Sequence, residues 1–88
     1  MEIRMKLELE YAKIVEDVNR AGRIAKSYED DAENETAYKV WETRYQKRVA
    51  KMVGFEQACK CMGYRIKRNY KYYGEFEPIT SFEFIHEN

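Results

Sequence analysis

The chain has 88 residues, 44% apolar and 36% charged, and its sixteen bases are balanced by sixteen acids. That length makes one domain with a modest core, and eight tyrosines, four phenylalanines and a tryptophan are too many aromatics for a disordered chain. No apolar run nears the roughly 18 residues of a membrane span, the opening MEIRMKLELE is too charged for a secretory signal, and two cysteines make no disulfide framework. A soluble, cytoplasmic protein is the expectation.

The first eleven residues carry two patterns. Apolar and charged side chains alternate strictly, which is a strand signal. Glu2–Lys6, Arg4–Glu8 and Lys6–Glu10 are also opposite charges at i,i+4, which is a helix signal. From Leu7 a seam then repeats in steps of four and three through Tyr11, Ile14, Val18, Ala21, Ala25 and Tyr28. Length decides for a helix: a start near residue 2 gives about 28 residues, roughly 42 Å, which matches the helix that follows. A helix over about 2–29 is predicted.

After the acidic break YEDDAENE a second seam runs Tyr38, Trp41, Tyr45, Arg48, Met52, Phe55, Cys59, Met62. Asp30 or Asp31 is the expected cap, and Gly63 the expected left-handed stop, giving a helix over about 32–62. In an antiparallel pair, seam residues meet where their numbers sum to about 63, so Ile14 faces the stem of Arg48. Ala50, Gly54 and Ala58 form a small-residue stripe nearly opposite this seam. Glycine inside a helix costs about 1 kcal/mol relative to alanine, so close packing is expected at Gly54, either from the chain's own C-terminus or from a second copy. Met5 and Leu9 offer a further apolar side near the start of the first helix.

The rest reads as a β-hairpin over about 64–86, with Tyr64, Ile66, Tyr70 and Tyr72 on one side of its first strand and Phe82 and Phe84 on one side of its second. Two strands alone are marginal in water, so the hairpin should pack at the open end of the helices, where Met5 and Leu9 are expected to receive it. The predicted fold is α+β, mostly α: one domain, 1–88, built as a long coiled-coil-like helical hairpin followed by a small β-hairpin.

Charge is laid out unevenly. Residues 1–43 hold seven bases and eleven acids, residues 44–71 nine bases and the single acid Glu56, and residues 72–88 four acids and no base. Arg44, Lys47, Arg48 and Lys51 stand at i, i+3, i+4 and i+7, one row along a helix. Arg65, Lys67, Arg68 and Lys71 follow, interleaved with Tyr70 and Tyr73. Clustered cations neutralise phosphates and aromatic faces stack on unpaired bases, so these ten residues are the candidate contacts for a nucleic acid or another partner. Glu10, Glu16, Asp17 and the acids of the tail are the alternative: internal partners that would silence the row.

Catalytic chemistry finds little support. The single histidine, His86, is the third residue from the end, and no phosphate loop or nucleophile elbow is present. Cys59 and Cys61, two apart on a helix, point about 200° apart and cannot grip one metal ion; Cys59 lies in the seam as a small core residue. No catalytic residue, metal site, cofactor, membrane contact or small-molecule substrate is expected. The reading is a non-enzymatic protein-binding module, self-association into a dimer or larger bundle being its simplest form. The alternative is a nucleic-acid-binding protein that uses the basic row and the basic, tyrosine-rich strand. In shortness, charge and tyrosine content the chain resembles accessory proteins of bacteriophages and mobile elements, some of which block host nucleases or signalling proteins. The resemblance is one of general build and attaches to no motif; what it implies is an inhibitor of a host protein.

Overall fold

The computed structural model describes residues 3–71 and 76–87. Helix α1 spans Ile3–Ser27 and helix α2 spans Glu35–Cys61, entered through a single 3₁₀ turn, Ala32–Asn34. Asp31 caps that turn: its side chain accepts from the backbone N–H of Glu33 at 3.1 Å, as expected of a helix entry. Gly63, at φ 89°, ends α2, and the N–H groups of Met62 and Gly63 reach back to the carbonyls of Cys59 and Lys60. The predicted ends at 29, 32 and 62 thus lie within a turn of the observed ones.

The opening alternation resolves as helix, with Arg4 and Glu8 paired at 2.8 Å; Glu2 lies outside the described residues. A period of two cannot face one side of a helix. Leu7 therefore packs against the core while Met5 and Leu9 stand 52% and 55% exposed. The expectation that Met5 and Leu9 receive the β-hairpin is corrected here.

Strands β1, Tyr64–Tyr70, and β2, Ile79–His86, form one antiparallel pair with Tyr64 opposite His86, Ile66 opposite Phe84 and Arg68 opposite Phe82. The sheet begins at the open end of the helices, as predicted, but continues along them. Arg4 Nη2 donates to the carbonyl of Phe84 near one end, and Asn19 holds Ile79 near the middle of α1. Beyond the strand, Phe76 is buried, with its ring 5.0 Å from that of Tyr45. Even-numbered residues of β1, with Phe82 and Phe84 of β2, face inward. There they meet Tyr11, whose ring lies 4.7 Å from Phe82 and 5.8 Å from both Phe55 and Phe84. Tyr11, Ile14, Val15, Val18, Met52, Cys59, Ile79 and Phe84 make up the core cluster.

The sheet therefore covers one side of the helix pair, the side of Val15, Asn19 and Gly22 on α1 and of Tyr45 and Glu56 on α2. The molecule measures 51 × 21 × 19 Å, so a single sheet leaves the opposite side of both helices bare among the described residues. The small-residue stripe does not touch the sheet. Ala50, Gly54 and Ala58 are exposed, and a Cβ added to Gly54 would meet nothing within 4 Å. The expected packing of the C-terminus there is overturned, because the sheet docks on the flank carrying Glu56, well round the helix from Gly54. Gly22 is instead the glycine at a close approach: a Cβ there would stand 3.2 Å from the Tyr45 ring and 3.5 Å from the Phe76 carbonyl.

Candidate binding surface

The ten candidate residues separate into two groups once the strands are in place. On β1 the two arginines are engaged. Arg68 points inward and grips Glu56 with two bonds of 2.6 Å, Nε to Oε2 and Nη2 to Oε1, and its Nη1 donates to the Tyr70 hydroxyl at 3.0 Å. The Tyr11 hydroxyl donates to the same Glu56 Oε2 at 2.5 Å. One carboxylate so ties α1, α2 and β1 together. Burial, reinforced by Glu56, pushes the Tyr11 phenol well above its ordinary value; the bond to Glu56 holds the Arg68 guanidinium charged. Arg65 meets Glu87 at 2.6 Å across the sheet, and Lys67 stands opposite Glu83 in the register. Pairing of the basic strand with the acidic one is thus an ion pair at Arg65 and a matter of register alone at Lys67. Lys71 is exposed, and Tyr73 lies outside the described residues.

The row on α2 is different. Arg44, Lys47 and Lys51 are exposed and Arg48 half-buried. Among the described residues none of the four has a carboxylate within 4.0 Å. Two of their expected silencers on α1 are used locally, Glu10 3.9 Å from Lys13 and Glu16 3.7 Å from Arg20, while the third, Asp17, lies beside the row without an ion pair among the described residues. Tail acids go elsewhere too, Glu77 to Lys26 at 3.3 Å and Glu87 to Arg65. The guanidinium of Arg44 sits 4.6 Å from the centroid of the Trp41 ring, a contact worth about 0.5–1 kcal/mol at an exposed site. Arg48 Nη1 donates to the Arg44 carbonyl one turn back at 3.2 Å. These contacts hold both arginines along the helix without neutralising them.

Beside the row, Ile14, Asp17, Arg48 and Lys51 line a hollow of about 210 Å³ between the helices, which places Ile14 and Arg48 at the same level of the pair. Val40, 43% exposed, borders the row at its other end with Lys39 and Thr43. The acids of the helical turn, Glu29, Asp30, Asp31, Glu33 and Glu35, are all exposed beyond it. Cys59 is buried, and burial with Glu56 nearby raises its thiol pKa.

Glu56 is the structural residue that sequence reasoning passed over. Its signal was its solitude, one acid among nine bases in residues 44–71. Asn19 and Phe76 carried no comparable signal. No protein-family model matches the chain, and neither curated proteins nor solved structures give a match.

Proposed function

We propose that the chain is a non-enzymatic protein-binding module whose working surface is the bare side of the helix pair, and that its partner presents an acidic surface. One observation carries the reading: the four cations of the Arg44–Lys51 row have no ion pair among the described residues, whereas Arg65 and Arg68 of the strand do. Unpaired like charges repel one another along a helix, so a row of four is a standing cost that an anionic partner relieves.

A protein suits this surface better than a nucleic acid. The face of Trp41 is taken by Arg44, and Tyr64 and Tyr70 are half-buried in the sheet, so these base-stacking platforms, among the described residues, are occupied. Asp17 beside the row and the acidic turn beyond it repel a continuous phosphate backbone. Exposed Val40 gives a partner protein apolar area next to the charges. An accessory protein that blocks a host protein is a setting that accommodates such a module.

The test is fluorescence anisotropy with three probes at about 50 and 200 mM salt: a labelled amphipathic helical peptide with a glutamate face, duplex DNA, and single-stranded RNA. The peptide should bind at low salt, and Arg44→Glu with Lys47→Glu should weaken it tenfold or more without loss of helicity. Tighter binding to DNA or RNA, collapsing steeply with salt and lost in the same variant, transfers the row to phosphate recognition. Peptide binding indifferent to those substitutions ends the reading. Ultracentrifugation of the free protein separates a further outcome, a second copy seated on the bare side.

A further inference from the structure

The two edges of the sheet are treated differently by the rest of the chain. The bond from Glu87 N–H to the Gly63 carbonyl, 2.8 Å, sets the phase of the ladder. In an antiparallel pair, residues alternate between exchanging bonds with their partners and turning both backbone groups away. Arg65, Lys67 and Asn69 therefore bond to β2, while Tyr64, Ile66 and Arg68 direct their N–H and C=O groups off the outer edge of β1. On β2 the same phase turns Phe84 outward, and its carbonyl is met by Arg4 at 3.2 Å. Both backbone groups of Ile79 are met by Asn19, at 2.9 and 3.0 Å. Side chains of α1 thus occupy the β2 edge at Phe84 and Ile79. No corresponding bond reaches the backbone of Ile66 or Arg68 among the described residues.

We propose that the open edge of β1 is a second binding site, and that it takes an extended acidic segment of a partner protein as a third strand. An unpaired strand edge is a template for backbone pairing, and recognition by strand addition combines main-chain bonds with side-chain selection at alternate positions. Selection here is by charge. The solvent face of β1 carries Lys67, exposed and without an ion pair among the described residues; its neighbour Arg65 is held by Glu87 at 2.6 Å. Opposite charges directly across neighbouring strands stabilise the pair, and like charges oppose it.

The same arithmetic excludes a second copy as the occupant. An antiparallel β1–β1 pairing centred on Lys67 sets Lys67 against Lys67; centring it on Ile66 sets Lys67 against Arg65, and centring it on Arg68 sets Arg68 against Arg68 and Arg65 against Lys71. Pairing β1 with the outer edge of β2 would displace Arg4 and Asn19. The flank of α2 next to the edge also suits an added strand. Glu56 points at the sheet, so Val53, three residues before it, and Lys60, four after it, border the space that strand would cover. Val53 is 38% exposed and Lys60 exposed. An incoming strand with acids on its outer side and apolar residues on its inner side meets both demands. The site is separate from the Arg44–Lys51 row and does not depend on it.

Backbone amide exchange followed by NMR on the full chain tests the proposal, with a ten-residue peptide alternating glutamate and valine as the probe. In the free protein the amides of Ile66 and Arg68 should exchange at least tenfold faster than those of Arg65 and Lys67. Adding the peptide should slow Ile66 and Arg68 tenfold or more, and Lys67→Glu should weaken the peptide about tenfold. The same peptide N-methylated at alternate residues should not bind. Amides of Ile66 and Arg68 already protected in the free protein, with a dimeric mass, would hand the edge to a second copy and overturn the proposal. So would peptide binding that survives N-methylation, or that shifts the Arg44–Lys51 resonances while leaving β1 unchanged.

Discussion

Asn19 hydrogen-bonds both backbone groups of Ile79: its Nδ2 donates to the carbonyl at 3.0 Å and its Oδ1 accepts from the N–H at 2.9 Å. A helix side chain acts as the neighbouring strand at the first residue of β2. The primary amide suits this because it presents a donor and an acceptor together, as a peptide group does. Asn19→Asp keeps the acceptor and sets a carboxylate against the Ile79 carbonyl; Asn19→Ala leaves both groups of a buried residue unmet. Each should lower stability by about 1–3 kcal/mol, the cost of an unsatisfied buried polar group. Urea denaturation measures it, and an Asn19→Ala change under 0.3 kcal/mol would mean that the pair only decorates a contact held by other forces.

The two helical glycines should respond in opposite ways. Gly54 has open space where a Cβ would stand, so Gly54→Ala gains helix propensity without a clash and should stabilise by about 1 kcal/mol. At Gly22 the Tyr45 ring and the Phe76 carbonyl occupy that space. Gly22→Leu cannot be accepted without moving Tyr45, and overpacking of this kind costs about 1–3 kcal/mol. Thermal melts of the two variants should move apart. A destabilised Gly54→Ala would point to a partner, such as a second copy, packed on the stripe in solution.

How far the fold was legible follows from these same positions. Both helices announced themselves through apolar seams, and Asp31 and Gly63 through residue types that only a few backbone roles require. Where the sheet would lie was not legible. That choice rests on a flank of α1 made by Val15, Asn19 and Gly22, which is too short to register as a stripe. Gly54 drew attention as a helical glycine, whereas Gly22, with the same propensity cost, was the one in contact. At the candidate surface the cations were legible as residues and spacing. Their pairing was not, because Arg68 finds Glu56 only after β1 folds back over α2.

Phe76 is buried at φ 65°, a left-handed conformation that costs an L residue about 1–2 kcal/mol. It is held there by its ring contacts with Tyr45 and Tyr38 at 5.0 and 6.2 Å. Phe76→Ala loses the ring and keeps the backbone cost, while Phe76→Gly loses the ring and the cost together. Both should destabilise, by about 3–5 kcal/mol for alanine, and glycine should be about 1 kcal/mol milder. Equal losses in urea would mean the positive φ is not retained in solution.

The Tyr11–Glu56–Arg68 group and the neighbouring Cys59 thiol set the behaviour at high pH. Both Tyr11 and Cys59 have pKa values raised in the folded chain, first by burial and then by Glu56. In the unfolded chain a thiol ionises near pH 8.5 and a phenol near pH 10. Between those values and the higher folded ones the native state holds protons that the unfolded state has released, so stability falls as pH rises. It should be level up to about pH 8, decline as the unfolded thiol ionises, and steepen above about pH 10. Cys59→Ala should flatten the first part of the decline, and Tyr11→Phe the second. Tyr11→Phe also frees Glu56 of one bond while leaving Arg68 in place, and should cost about 1–2 kcal/mol at pH 7. Glu56→Ala strands a guanidinium that is only 27% exposed and should cost about 3–5 kcal/mol. A double-mutant cycle with Arg68→Met checks this: the pair of substitutions should cost less than the sum of the two. Exact additivity would mean that Glu56 and Arg68 do not hold each other in solution, and the join between α2 and β1 would then rest on apolar packing alone.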